Sequence, residues 1–240
     1  MTDRVPSSSH PIASVPRLIL ASGSPRRREL LGRLGLPFVV ETSDEPEDAD
    51  PALPPERLVM ALAERKARAV AARSADAGRG STREPGETLV LGGDTVVALY
   101  GETLGKPRDA ADNAAMLRQL SGRSHEVWTG LALVDVESGR MERHAVPSVI
   151  RFRELAKDDI ADYAADGEGL DKAGGYAIQG GAAGFVAAIH GCWTNVVGLP
   201  LCEVAALLRR FGVAVPGPRP VCLRPDGSAC PRLSLEPDTV

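Results

Sequence analysis

A chain of 240 residues, 43% hydrophobic and 25% charged, has the composition of a soluble globular protein with one large domain or two small ones. A net charge of −4 gives no electrostatic case for a nucleic-acid partner, so an anionic ligand has to be met by a local basic cluster. Apolar runs fall far short of the ~20 residues of a membrane span, so no membrane partner is expected. None of the four cysteines, Cys192, Cys202, Cys222 and Cys230, forms a C-x-x-C pair, so neither a zinc site nor a dithiol is signalled. With no targeting signal visible in residues 1–16, a reducing cytoplasm is the expected location.

Residues 1–16, with Pro6, Ser7, Ser8, Ser9, Pro11 and Pro16, read as a mobile leader. A short buried strand follows at 17–21. Ser24 can cap a helix and Pro25 suits its first position. Leu30, Leu31 and Leu34 supply the buried stripe, and Gly35 supplies a stop. Residues 36–40 resemble a second strand and 41–50 an acidic loop. A long helix is expected over 55–73, with Leu58, Leu62, Ala63, Lys66, Ala69 and Val70 at helical spacing. Residues 77–87 read as a surface loop. Segments 89–91 and 96–100 are β-like and flank Gly92-Gly93-Asp94-Thr95. Asp109 caps a helix running through Leu120 and stopped at Gly122. Strands over 126–136 and 146–152 make a candidate hairpin, and a helix over 158–165 follows. Residues 184–189 are β-like, and a last helix over 200–211 ends at Gly212. Residues 214–240 are a Pro-rich tail, expected to be irregular, which leaves a domain of 17–213. Alternating strands and helices predict an α/β fold with helices covering the sheet, and the hairpin argues for a mixed sheet.

Four segments carry chemistry. Ser22-Gly23-Ser24-Pro25-Arg26-Arg27-Arg28 places arginines in the first turn of a helix, where they slightly oppose its dipole. A phosphate ligand accounts for them, through the unpaired N–H groups of a helix start and bidentate arginine bonds. A solvated basic turn is the plainer alternative. Asp94 emerges from an apolar run beside two glycines, which fits a close ligand or metal, or a turn at a strand end. Lys106 lies in Gly105-Lys106-Pro107, a rigid turn that suits phosphate contact or simple exposure. The loop Asp171-Lys172-Ala173-Gly174-Gly175-Tyr176-Ala177-Ile178-Gln179-Gly180-Gly181 lets backbone approach a ligand, and a linker rarely sets Tyr and Ile between glycines. Lys66 on the apolar side of its helix hints at an inward role, against an ordinary snorkelling lysine. The acidic run around Glu45 could supply a metal carboxylate or remain solvated. His125 has no recognisable nucleophile partner and reads as structural.

Taken in order, these segments resemble the Maf family across about 17–212: Leu-Ala-Ser-x-Ser-Pro-Arg-Arg, an acidic Asp-Glu, a helical Lys-Ala, Gly-x-Asp-Thr-x-Val, Gly-Lys-Pro, Leu-Ser-Gly-x-x-His-x-Val, Asp-Lys-Ala-Gly-x-Tyr-x-Ile-Gln-Gly and Val-x-Gly-Leu-Pro. The resemblance implies a two-lobed α/β fold around a mixed central sheet, similar to inosine triphosphate pyrophosphatases, with the active cleft between the lobes. It implies a hydrolase that cuts a nucleoside triphosphate between the α- and β-phosphates with a divalent cation, Mg²⁺ or Mn²⁺. Asp94 matches the family's proton acceptor and a metal position. Ser22, Arg27, Lys66 and Lys106 match the phosphate cleft, and Glu45 matches the acidic cleft residue assigned to metal. Arg26, Thr95 and Gln179 match the positions tied to pyrimidine choice, so the chain resembles the group acting on dTTP and UTP. The amide of Gln179, the Thr95 hydroxyl and the Arg26 guanidinium offer hydrogen bonds suited to the two carbonyls and N3–H of uracil or thymine. The small-molecule partner implied is a nucleoside triphosphate, and a homodimer stays open. Two alternatives stand beside this reading: a non-catalytic nucleotide-binding regulator of septum formation, and a pyrophosphatase for methylated GTP.

Overall fold

The computed structural model describes residues 16–43, 53–78 and 87–215. The leader, Glu45, the 79–86 stretch and residues 216–240 lie outside them. The elements in order are β1 (Arg17–Ala21), α1 (Pro25–Gly32), β2 (Phe38–Val40), α2 (Pro55–Gly78), β3 (Thr88–Leu99), β4 (Glu102–Leu104), α3 (Ala110–Leu120), β5 (Ser124–Asp135), β6 (Met141–Phe152), α4 (Lys157–Asp166), β7 (Val186–His190), α5 (Trp193–Val197) and α6 (Leu201–Arg210), with single 3₁₀ turns at Ala173–Gly175 and Gly181–Phe185. Seven strands form one mixed sheet in the order β2-β1-β3-β5-β6-β7, and β4 pairs with β3. β1 runs parallel to β2 and β3; the other pairs are antiparallel.

The alternation of β3 and β5 fixes the two faces of the sheet. Leu89, Leu91, Val97 and Leu99 join Val127, Leu131 and Leu133 in the larger core, with Leu30 and Leu31 of α1 and the apolar face of α6. Val90, Ala132 and Val134 face the other way and meet Ala63, Ala67 and Val70 of α2. The larger core also takes in Val213 and Val215, so packing continues to 215, past the expected boundary at 213.

The main departure from expectation is β3. Residues 89–91 and 96–100 were expected as two β-like pieces around Gly92-Gly93-Asp94-Thr95, whereas the structure has one strand through all of them, registered with β5 from Leu89 to Ala98. Glycine and aspartate disfavour strands, and packing from a distance overrides that preference. A Cβ on Gly92 would lie 2.2 Å from the Ala63 carbonyl oxygen, and one on Gly130 would lie 2.1 Å from that of Val59. α2 therefore sits down on the sheet only where both side chains are missing. α2 also runs past the expected end at 73, to Gly78. Two short elements were not expected, β4 and α5. β4 returns on β3 through a tight turn in which Tyr100 and Gly101 both have positive φ, +55° and +83°, as a two-residue hairpin turn needs. No helix among the described residues is long and apolar enough to cross a membrane.

One detail of the sheet positions the site. The last registered pair of β3 with β1 is Gly92 with Ala21, and the first with β4 is Val97 with Leu104. Between them, residues 93–96 have no partner on that edge. The opening lies at the carboxyl ends of the parallel strands, where α/β folds seat ligands.

Candidate active site

A pocket of about 690 Å³ fills this opening. Ser22, Arg26, Arg27, Lys66, Asp94, Thr95, Lys106 and Gln179 all line it, although they come from five separate stretches of chain. Glu45 lies outside the described residues. The same wall includes Asp171, Lys172 and Tyr176, so five cationic side chains face two carboxylates and the pocket favours an anion.

α1 forms its mouth. Ser24 is the N-cap and its hydroxyl accepts the Arg27 N–H at 3.4 Å, while Pro25 opens the helix without an N–H to satisfy. The first turn holds no acidic residue. Arg26 and Arg27 are half-buried and Arg28 is exposed. Arg27 is clamped: Nε donates to the Gly198 carbonyl at 2.9 Å, Nη1 to Ser22 Oγ at 3.2 Å and Nη2 to Thr95 Oγ1 at 3.0 Å. This guanidinium ties α1, β3 and the end of α5 into one wall, so its position is fixed before any ligand arrives.

Asp94 lies on the opposite face of β3. Its carboxylate is buried and Lys66 Nζ of α2 donates to Oδ1 at 2.6 Å. No hydrogen bond among the described residues ends on Oδ2. Lys66, expected to point inward, is buried as well. A charged pair this sheltered is costly to desolvate and weak evidence for stability, which points to a role in chemistry.

The glycine-rich loop forms the far wall and is tethered at several points. Asn113 Nδ2 of α3 donates to the Gly175 carbonyl at 2.7 Å, Gly174 N–H to the Gly105 carbonyl at 3.0 Å, and Ala177 N–H to the Tyr163 hydroxyl at 2.9 Å. Gly175 has a φ of +72°, and a Cβ there would lie 2.2 Å from Asn113 Nδ2, so glycine is required twice over. Gln179 and Lys106 are exposed at the rim, and the hydrogen bond from Lys172 holds the carboxyl of Asp171 below the usual range, with a smaller contribution from the Arg26 charge. Tyr176 is buried, which raises its hydroxyl pKa, and shares a 2.8 Å hydrogen bond with His125 Nε2. His125 is packed edge-on against Phe152 and Tyr176, and burial pushes its pKa down to about 4, so it is neutral at pH 7. It supports the loop from behind and does not line the pocket.

Sequence reasoning passed over Asn113, Thr129 and Asn195. Thr129 Oγ1 lies 2.9 Å from Thr95 Oγ1 and donates to the Asn195 carbonyl at 3.1 Å. Asn195 Nδ2 reaches the Val127 carbonyl at 3.0 Å and Ser148 Oγ at 2.9 Å. The available signal was polarity on an apolar stripe. Asn113 precedes Leu117 and Leu120 at helical spacing, and Thr129 sits between Val127 and Leu131 at strand spacing.

An α/β chain with a cationic pocket beside a helix start, at the carboxyl ends of parallel strands, is of the class that seats phosphorylated ligands there. The profile described as Maf-like protein matches residues 17–211, and the chain belongs to this family. A dTTP/UTP pyrophosphatase of Deinococcus radiodurans is 46% identical over 209 residues, covering 86% of this chain and 99% of the relative. One of Moorella thermoacetica is 50% identical over 201 residues, with 84% and 98% covered. One of Anaeromyxobacter dehalogenans is 49% identical over 207 residues, with 85% and 99% covered.

Proposed function

We propose that this chain hydrolyses dTTP and UTP, or modified pyrimidine nucleotides, to the monophosphate and pyrophosphate, in the cytoplasm, with residues 17–215 as the active unit. The observation that carries the reading is the buried Asp94–Lys66 pair set in a cationic pocket, in a chain whose similar relatives carry the name dTTP/UTP pyrophosphatase. Arg26, Lys106 and Lys172 offset the charge of the triphosphate, and the N-terminal end of α1 adds its dipole. Ser22 and the clamped Arg27 shape the floor on which the phosphates rest. Lys66 fixes the Asp94 carboxylate through Oδ1, which leaves Oδ2 to orient the attacking water and take its proton. Gln179, Arg26 and Thr95 face the base.

The residues fit a divalent cation of the magnesium kind. No group of three or more His, Cys, Asp or Glu side chains is gathered among the described residues, so an all-protein cage is not what they offer. Mg²⁺ and Mn²⁺ sites that share substrate phosphates need only one or two carboxylates, and Asp94 with an open Oδ2 supplies one. Such an ion makes bound water more acidic and offsets developing charge on the leaving group.

The test is product analysis with purified protein and Mg²⁺ or Mn²⁺. UTP and dTTP should release pyrophosphate and UMP or dTMP. Orthophosphate with a nucleoside diphosphate would move the cleaved bond, and binding without any release would make the chain a nucleotide-binding protein only.

A further inference from the structure

Thr95 is assigned to the pocket wall, but its hydroxyl is already engaged behind that wall. Arg27 Nη2 donates to Thr95 Oγ1 at 3.0 Å; Thr95 and Thr129 share a hydrogen bond of 2.9 Å; and Thr129 donates to the Asn195 carbonyl at 3.1 Å. The two ends of this chain are fixed in sense. A guanidinium only donates and a carbonyl only accepts, and each hydroxyl has one proton. Thr129 is fully buried, directly opposite Thr95 in the β3–β5 register. All three bonds are made in one arrangement: Thr95 gives its proton to Thr129, and Thr129 gives its own to Asn195. The reverse sense would forfeit the bond to Asn195.

We propose that Thr129 is a positioning residue that turns the Thr95 hydroxyl into a pure acceptor toward the pocket. With its proton committed inward and one lone pair taken by Arg27, Thr95 has only an acceptor site left for a ligand. It therefore receives an N–H and turns away groups that can only accept. In a pyrimidine nucleotide site, that N–H is the imide N3–H of uracil or thymine. Cytosine presents a bare N3 at the same place and meets acceptor with acceptor. Phosphate oxygens, which only accept, are refused for the same reason. The assignment rests on the reading of this pocket as a pyrimidine nucleotide site. It adds a source of base choice that never touches the base.

The experiment is kcat/KM for UTP and CTP in the wild type and in Thr129→Val, Thr129→Ser and Thr95→Val, with thermal melting as the check on folding. Valine keeps the shape of Thr129, and the Asn195 carbonyl keeps the Gly198 N–H at 2.9 Å. The Thr95 proton is then free to turn toward the ligand. The UTP/CTP ratio should fall by about tenfold in Thr129→Val, the scale of one mismatched hydrogen bond. Thr129→Ser, which keeps the proton, should restore it. Thr129→Ala, which also lacks the proton, should reproduce the drop if valine disturbs packing. Equal losses for both nucleotides, with an unchanged ratio in Thr129→Val and Thr129→Ala, would overturn the proposal while leaving the pyrimidine reading in place. An unchanged ratio in Thr95→Val would remove Thr95 from the base, and the proposal with it. A wild type that hydrolyses neither nucleotide would bring down the underlying reading first, so the two failures are told apart.

Discussion

Replacing Lys66 by methionine tests whether Asp94 and Lys66 depend on each other. The ion pair is 2.6 Å long, and the two side chains are 10% and 12% exposed. Methionine fills the lysine stem but leaves a carboxylate in a sheltered site without its cation. Removing one partner of a buried pair costs about 3–5 kcal/mol. At roughly 2–4 °C per kcal/mol for a domain of this size, melting should drop by on the order of 10 °C. The informative comparison is Lys66→Met with Asp94→Leu added, which removes the orphaned charge and should recover most of that loss. Both variants should be inactive, so stability and turnover part company in the double variant. Scanning calorimetry at neutral pH measures the first and pyrophosphate release the second. A double variant less stable than Lys66→Met alone would refute the reasoning, because it would mean that the carboxylate is not waiting on its lysine.

Asp94→Asn should keep the fold and lower turnover by at least ~10²-fold, read as pyrophosphate released per minute. Gly92→Ala forces a Cβ to 2.2 Å from the Ala63 carbonyl, and urea titration should show a loss of about 1–3 kcal/mol as α2 lifts from the sheet. His125 contributes stability in its neutral form: the unfolded chain takes a proton below its ordinary 6.5, the folded one not until about 4. That contribution, about 3 kcal/mol, is complete above pH 6.5 and is lost as pH falls toward 4. The melting temperature of His125→Gln should accordingly fall less than that of the wild type between pH 7 and 4.5. Ending the chain after Val215 should leave melting and activity near wild type, whereas ending it after Gly212 removes the buried Val213 and Val215 and should cost a few kcal/mol.

What the sequence made legible was whatever local chemistry decides alone. The start of α1 is written in Ser24 and Pro25, and that of α3 in Asp109, whose carboxylate accepts the Asp112 N–H at 2.8 Å. The strand at 17–21 appeared with the bounds expected. The continuity of β3 was not legible, because the reason for Gly92 is the backbone of Ala63, brought there by α2. The same holds for the loop at 171–181. Its glycines signalled close approach, but the approaching group for Gly175 is Asn113 on α3. The site was legible as a set of residue types and silent on who holds whom. That Arg27 is braced by Gly198, and that Thr95 leans on Thr129, are facts of tertiary contact.

The pairing gap in β3 explains why adjacent residues can serve one ligand from opposite sides. Successive strand residues point to opposite faces, so Asp94 meets Lys66 on the α2 side and Thr95 meets Arg27 and Thr129 on the other. In the middle of a paired sheet no ligand could reach both, because neighbouring strands wall off one face from the other. At residues 93–96 β1 has ended and β4 has not begun, so a ligand can wrap the free edge. The glycine at 93 keeps that edge thin, with Arg27 Nε only 3.5 Å from where a Cβ would stand. Under the proposed function, the Asp94 carboxylate held by Lys66 on one face serves the anionic tail of the substrate, and the Thr95 hydroxyl held by Arg27 and Thr129 on the other serves its neutral base.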